Sequence, residues 1–328
     1  MPHTASLPPT NKTRDFAGTP AQITPQSTQY VGRFAPSPTG KLHLGSLVAA
    51  LGSYADARSS GGRWLIRMED LDRARVRRGA ADEIVRTLEM FGLHCDGRIE
   101  YQSERTEHYR AALEALTALG ATFECSCSRR ERDGEGGYPG TCRAGPARSG
   151  PTAIRFRVDD VLVSVEDRLQ GRCDFRLRER GDVIIRRRDG AFAYQLAVVI
   201  DDAVQGVTDV VRGADLLDST PWQIALQQAL RLTTPRYAHL PLVTEPSGEK
   251  SAKSRCSVPL DPQSAGRQLY EALRLLQQDP PASLEPEPGP VILEWACANW
   301  EPSRLEHVRE VAAAAYGTTV QVGFGPPM

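Results

Sequence analysis

An α/β fold built on a mostly parallel sheet is what this chain predicts, on three observations. Short apolar runs alternate with amphipathic helical stretches from residue 30 to residue 119. Periodicity stops between Glu124 and Pro151, where Cys, Gly, Pro and Arg take over, which marks an inserted, irregular subdomain. Strand-like text then resumes at residue 153. With 328 residues, 40% of them hydrophobic, the chain forms one large or two modest domains with a real core. In such sheets ligands sit beyond the carboxyl ends of the strands.

The elements follow in order. Tyr30–Phe34 (YVGRF) reads as a short buried strand, and LGSLVAALGSYADA as a helix with Leu44, Leu47, Val48, Leu51 and Tyr54 at helical spacing. RWLIRMED, Arg63–Asp70, is a second strand ending in carboxylates. ADEIVRTLEMFGL places Ile84, Val85, Leu88 and Phe91 on one helix face, and a third helix over Thr106–Leu119 carries Tyr109, Leu113, Leu116 and Leu119. Residues 153–211 read as strands, AIRFRV and DVIIRRRDGAFAYQLAVVIDD, with Asp189-Gly190 as a hairpin turn. From Ser219, STPWQIALQQAL is a helix capped by Ser or Thr with Pro in its first turn. A strand near His239–Val243, a polar loop EPSGEKSAKS and a helical tail with Leu269, Leu273 and Leu276 complete the chain, and GFGPPM reads as a frayed end. There is no internal repeat.

Composition excludes several classes. No long apolar run is present, so no membrane partner is expected. Residues 1–29 are rich in Pro, Thr and Gln, lack an apolar h-region, and read as a disordered tail rather than a signal peptide. A net charge of −1 gives no global field for nucleic acid, and Arg186–Arg188 is either a local basic patch or a solvated strand end. Seven cysteines without an export signal indicate a reducing, cytoplasmic setting with thiols free or metal-bound. Three of them, Cys125, Cys127 and Cys142, crowd the core-poor insert, where a zinc ion is the expected staple and buried free thiols are the alternative.

The stretch RFAPSPTGKLHLGSL, Arg33–Leu47, puts a glycine-containing loop before a helix N-terminus. That is a ready anion site, or simply a tight turn. Its residues settle the choice by resemblance. GRFAPSPTGKLHLGS resembles the first signature of the class I aminoacyl-tRNA synthetases in its glutamate-specific form, with His43-Leu44-Gly45-Ser46 where the family has HIGH. Serine replaces the second histidine. RMEDLDRAR (Arg67–Arg75), the text from Phe192 to Leu230 and YAHLPLV (Tyr237–Val243) resemble the glutamyl-tRNA synthetase catalytic domain in the family's order, so that the likeness covers about Tyr30–Val258. The second signature, KMSKS, is represented by Lys250-Ser251-Ala252-Lys253-Ser254, which keeps both lysines.

This resemblance implies a Rossmann-like nucleotide-binding catalytic domain formed by residues 30–123 and 152–258. It also implies a zinc-binding insert at 124–151 and a short helical C-terminal region at 259–328 without an anticodon-binding domain. It implies a glutamate pocket of Arg33, Phe34, Ala35, Pro36, Ser37, Glu69, Tyr194 and Arg212. ATP, with Mg²⁺, would meet His43, Gly45, Ser46, Lys250 and Lys253, with His43 and Lys253 catalytic. Glu69 is suited to a substrate ammonium, and Arg212, aided by Arg33 and the Tyr194 hydroxyl, to a bidentate grip on carboxylate. The other reading of Arg212 is an internal salt bridge to Asp215 or Asp201. For the single structural zinc the likeness adds Tyr138 to Cys125, Cys127 and Cys142, with water or Cys95 as competing fourth ligands.

Only 74 residues follow Ser254, too few for a separate anticodon-reading domain. In this the chain resembles the glutamyl-queuosine tRNA(Asp) synthetases, which activate L-glutamate without tRNA and transfer it to the queuosine cyclopentenediol at the wobble position of tRNA(Asp). The implied partner is the queuosine-bearing anticodon stem-loop, met by a monomer in the cytoplasm. Two alternatives stay open: a truncated glutamyl-tRNA synthetase charging the tRNA 3′ end, and a non-catalytic tRNA-binding paralogue.

Overall fold

The structure, a computed structural model, describes residues 29–128, 137–244, 258–313 and 322–324. The tail at 1–28, the lysine signature at Lys250 and Lys253 and the GFGPPM end, apart from Gly323 and Phe324, lie outside these residues.

The first sheet begins with β1 (Val31–Phe34), buried along its whole length, followed by α1 (Leu44–Ser59), β2 (Arg63–Met68), α2 (Ala80–Met90) and β3 (Glu100–Tyr101). These strands are parallel in the order β1-β2-β3. After α3 (Thr106–Ala118) come β4 (Thr122–Cys125) and β5 (Ala153–Phe156), which flank the insert. A hairpin of β6 (Leu162–Asp167) and β7 (Gly171–Arg176), a turn of helix α4 (Leu177–Arg180) and β8 (Val183–Arg186) follow. β4, β5 and β8 make a separate antiparallel sheet.

The chain then returns through α5 (Tyr194–Val204), β9 (Asp209–Gly213), α6 (Thr220–Ala229) and β10 (Arg236–Leu240). β9 and β10 pair in parallel and continue to β6 and β7. At the start of β9 the Thr208 amide donates to the Val31 carbonyl (2.9 Å) and the Val31 amide to Thr208 Oγ1 (2.9 Å), so β9 lies against β1. Successive strands step outward from β1 to β3 and then resume on its other side. The reversal between β1 and β9 is a topological switch point, where such sheets open a ligand crevice.

The run AYQLAVVIDD is helix α5, not strand as its text suggests. Leu196 to Asp202 are all buried, so the helix is apolar on nearly every side, and periodicity cannot separate such a segment from a buried strand. Ser219 does precede α6, but its side chain makes no cap and accepts instead from Gln195 Nε2 (3.0 Å). HLPLV is divided between β10 and β11 (Leu242–Thr244), with Pro241 at the break.

The C-terminal part is not purely helical. α7 (Ala265–Leu275) and α8 (Gly289–Ala298) precede β12 (Val308–Ala312), which pairs in parallel with β11, and β13 (Val322–Phe324). Leu269, Leu273, Ile292 and Val311 share one core with Leu47, Leu51 and Trp64, so this region belongs to the catalytic body. Polar contacts agree: Trp300 Nε1 donates to Asp56 Oδ1 (2.9 Å), and Gln170 Nε2 donates to the carbonyls of His239 (2.8 Å) and Val308 (2.9 Å).

The insert is fastened by backbone contact. A Cβ on Gly181 (φ 72°) would fall 2.4 Å from the Tyr138 nitrogen, and one on Gly137 (φ 79°) 2.5 Å from the Arg180 carbonyl oxygen. Only glycine suits either position. Gly181→Ala is therefore expected to lower stability by at least ~1–3 kcal/mol, read as a lower melting temperature; an unchanged melt would contradict the close approach.

Candidate active site and metal centre

The carboxyl ends of β1 and β2 carry the first site residues. Arg33, on β1, is buried and directs Nε (3.1 Å) and Nη2 (3.4 Å) to the two oxygens of Asp202 on α5. Arg67, on β2 and fully buried, donates Nη1 to Asp202 (2.8 Å) and to Gln205 (2.7 Å), while its Nη2 lies 3.5 Å from Glu69 and its Nε 3.8 Å from Asp201. Asp201 in turn takes Arg105 Nε (2.5 Å), Gln102 Nε2 (2.8 Å) and the Tyr109 hydroxyl (2.7 Å). Burial alone would raise the Asp202 carboxyl, but Arg33 and Arg67 outweigh it and hold it below the ordinary carboxylate range. At Glu69 burial dominates, with Asp202 and Asp201 adding repulsion, and its carboxyl is pushed up despite Arg67 and Arg33. A cation placed beside Glu69 would relieve that mismatch.

Across the switch point, at the end of β9, stands Arg212. It is 5% exposed, and among the described residues no carboxylate lies within ion-pair distance of it, neither Asp215 nor Asp201. Its Nε donates to His239 Nε2 (3.0 Å), Nη1 to the Tyr194 hydroxyl (3.2 Å), and Nη2 to Thr220 Oγ1 (2.8 Å) and the Leu216 carbonyl (3.3 Å). The internal salt bridge foreseen as its alternative role is thus not formed. The foreseen bidentate fork is also changed, because four of the five N–H donors are engaged and the Tyr194 hydroxyl stands beside the remaining Nη1–H. Similarly, Asp202 occupies one edge of Arg33, so that residue cannot offer its whole fork to a ligand.

The loop between β1 and α1 is held by its neighbours: Glu69 N donates to the Pro36 carbonyl (3.0 Å), Arg77 N to that of Pro38 (3.0 Å) and Thr39 N to that of Ser37 (2.8 Å). This places Pro36 beside Glu69, with Ala35 and Ser37 flanking it in the chain, whereas the Phe34 ring, expected in the pocket, packs into the core against Trp64. His43 is the N-cap of α1, with Nδ1 accepting from the Ser46 amide at 3.4 Å, and burial lowers its imidazole pKa. The ring is therefore neutral near pH 7 with its N–H on Nε2, a donor at the positive end of a 16-residue helix. A Cβ on Gly45 would meet the His43 ring at 3.4 Å, an ordinary contact, so Gly45 lies directly beside that ring. Lys250 and Lys253 lie outside the described residues, but the chain re-enters where Pro259 bridges His43 and Leu260 N donates to the Leu42 carbonyl (2.9 Å).

In the insert, the sulfurs of Cys125, Cys127 and Cys142 lie within 4.8 Å of one another, all buried. Tyr138 Oη is 3.5 Å from Cys125 Sγ and 3.6 Å from Cys127 Sγ, and it accepts from the Cys142 amide at 2.9 Å. Thiolates on one tetrahedral ion with bonds of about 2.3 Å stand roughly 3.8 Å apart, and Cys127 and Cys142 are 3.5 Å apart. The set therefore fits a small thiophilic cation. Against burial, the amides of Ala147 and Ser126 and the Tyr138 and Cys127 side chains draw the Cys142 thiol down to about 6. The Tyr138 hydroxyl is pushed up by burial and Cys125. Cys95 is not part of this cluster; it contacts the Gly97 carbonyl instead.

Sequence reading did not assign Arg67, Asp202, Asp167 or His239. The signal for the first two was available, since adjacent carboxylates inside LAVVIDDAV must find cations once buried. The Arg186–Arg188 run is engaged locally: Arg187 pairs with Asp72 (3.3 Å) and Asp189 (2.7 Å), Arg188 donates to the Cys127 carbonyl, and Arg186 donates to that of Gly190.

Residues 29–135 and 139–273 match the family described as tRNA synthetases class I (E and Q), catalytic domain. A curated relative from Ectopseudomonas mendocina, named Glutamyl-Q tRNA(Asp) synthetase, is 52% identical over 290 residues, which is 88% of this chain and 99% of that one. One of the same name from Pseudomonas aeruginosa is 52% identical over 85% of this chain and 96% of its own length. Among solved structures, the fold is similar to a glutamate tRNA ligase from Elizabethkingia meningosepticum crystallised with its amino acid. The TM-score is 0.73, at 22% identity over 88% of this chain and 68% of that one. On the family match and these relatives, the chain belongs to the class I tRNA synthetases of the E and Q group, a family of ligases.

Proposed function

We propose that the chain activates L-glutamate with ATP, without tRNA, and transfers it to the queuosine cyclopentenediol at the wobble position of tRNA(Asp). The observation that carries the amino-acid choice is Arg212, a buried cation with no carboxylate of its own among the described residues, across the switch point from a carboxyl whose charge is under-compensated. A molecule with an ammonium group at one end and a carboxylate at the other complements both. The acceptor is supported by relatives named Glutamyl-Q tRNA(Asp) synthetase that match over nearly their whole length.

In this reading Glu69 takes the substrate ammonium, and the uncommitted Nη1–H of Arg212 with the Tyr194 hydroxyl takes the side-chain carboxylate. Arg33, Ala35, Pro36 and Ser37 form the floor. The free α-carboxylate attacks the α-phosphorus of ATP, pyrophosphate leaves, and a mixed anhydride with AMP remains. Positioning and charge neutralisation are what such a step needs. His43 Nε2–H and the amides opening α1 face the phosphates, joined by Gly45, Ser46, Lys250 and Lys253, and Mg²⁺ accompanies ATP. A queuosine hydroxyl then attacks the acyl carbon and AMP departs. Cys125, Cys127, Tyr138 and Cys142 would hold one structural zinc, which ties the insert together.

Labelled glutamate and ATP offered to tRNA(Asp) with and without queuosine test the acceptor. Transfer is expected only with queuosine, after glutamate-dependent pyrophosphate exchange in the absence of tRNA. Charging of queuosine-free tRNA would favour the 3′-end enzyme, and binding without exchange the non-catalytic paralogue. Arg212→Ala and Glu69→Ala should each reduce exchange about 10–100-fold, the range lost with one hydrogen bond to a charged group; normal exchange in both would remove the pocket.

The pH dependence follows from Glu69. It binds ammonium only as carboxylate, and its pKa is raised, so affinity for glutamate should fall as pH drops, starting above the ordinary glutamic acid value. Glu69→Gln should bind weakly at every pH; if calorimetry showed the same acid limb in that variant, another group would be responsible. Metal analysis of the purified protein should return one zinc per chain, lost in Cys127→Ser.

A further inference from the structure

Arg212 and His239 are register partners on β9 and β10, and Asp167 sits on β6, the next strand. Three side chains therefore line up across three neighbouring strands. Asp167 Oδ2 lies 2.5 Å from His239 Nδ1, and His239 Nε2 accepts from Arg212 Nε at 3.0 Å. The tautomer follows from chemistry. Arg212 Nε can only donate, so His239 Nε2 is bare and the ring proton is on Nδ1, facing Asp167. Asp167 is itself fixed, because its Oδ1 accepts from the amides of Leu169 (3.0 Å), Gln170 (2.8 Å) and His239 (3.2 Å). All three residues are buried. Burial and the nearby arginine lower the His239 pKa despite Asp167, while the Asp167 carboxyl is held low chiefly by His239 against its own burial. The row thus reads anion, neutral ring, cation.

We propose that Asp167 and His239 are positioning residues that set the orientation of the Arg212 guanidinium, and through it the choice of a carboxylate over an amide side chain. The inference rests on the pocket assigned under Proposed function. A carboxylate in direct contact with Arg212 would fill its fork and compete with the substrate. An imidazole between them supplies an acceptor for Nε and keeps the counter-charge one ring away. With Nη2 held by Thr220 and Leu216, one Nη1–H remains uncommitted beside the Tyr194 hydroxyl. That pair suits two carboxylate oxygens, whereas an amide presents an N–H₂ that neither the Nη1–H nor a Tyr194 hydroxyl already accepting from Arg212 can satisfy well.

Calorimetric binding of L-glutamate, L-glutamine and ATP to wild type, His239→Phe, His239→Gln, Asp167→Asn and Arg212→Ala tests this, with thermal melts of each. His239→Phe, which removes the acceptor, and Asp167→Asn, which no longer fixes the tautomer, should weaken glutamate binding about tenfold or more and narrow the preference over glutamine. ATP affinity should hold. His239→Gln offers a carbonyl acceptor at similar reach and should recover most of the affinity, a rescue that mere core filling would not give. Unchanged glutamate affinity in Arg212→Ala would overturn the pocket itself. Loss in Arg212→Ala, with wild-type affinity and preference in both Asp167→Asn and His239→Phe, would overturn this inference alone. Should His239→Phe fail to fold, Asp167→Asn, nearly isosteric, decides the question.

Discussion

Two adjacent carboxylates on α5, Asp201 and Asp202, are the constraint on which the site depends. They pair with Arg33 from β1, Arg67 from β2 and Arg105 ahead of α3, three cations from segments far apart in the chain. Breaking such a buried pair by removing one partner typically costs about 3–5 kcal/mol, because the remaining charge stays in low dielectric. The strands can carry arginines at their carboxyl ends only because α5 is in place. Conversely, α5 can be apolar almost all round and still hold two charges only because those arginines reach it. The same contacts fix where Glu69 sits, since Arg67 touches both Asp202 and Glu69.

Much of the fold was legible. The first three helices and first two strands fall within a few residues of their sequence positions, because each ends at Gly, Pro or a charge cluster and α2 and α3 carry a clear apolar period. The reading failed where the period carries no information. α5 is buried on nearly every side and its β-branched residues imitate a strand, while β12 lies beyond the helical spacing of α7. The site divided similarly. Glu69, Tyr194, Arg212 and the three insert cysteines were assigned from motif text and spacing, and the structure brings the cysteines together and puts Tyr194 on Arg212. His239 and Asp167 went unassigned because their contact with Arg212 arises from cross-strand register, which no local pattern announces.

The insert and the C-terminal region are held to the catalytic body by different means. Gly137 and Gly181 let two backbones touch, and Arg143 clamps buried Asp182 through Nε (2.8 Å) and Nη2 (2.6 Å). The C-terminal helices instead complete the apolar core around α1 and add hydrogen bonds to Asp56 and Gln170. A thiol-lined insert with so little core of its own gains from a metal staple, whereas the helices need none.

At the carboxyl end of β9 charge pairing among the described residues is incomplete. Arg33, Arg67, Arg105 and Arg168 each have a carboxylate within 4 Å, and each is largely shielded from water. Arg212 is shielded as well, yet its contacts are a tyrosine, a threonine, a carbonyl and a neutral imidazole. Water cannot fully solvate it there, and the nearest fixed anion along its hydrogen bonds is Asp167, one ring away. A buried cation held in this way is destabilised until an anion arrives, so on the proposed reading of the site part of the binding free energy of a carboxylate comes from relieving Arg212. An amide of the same shape recovers none of it. Selectivity by charge then requires no moving part, only the rigid row of strands that keeps Asp167 from reaching Arg212 directly.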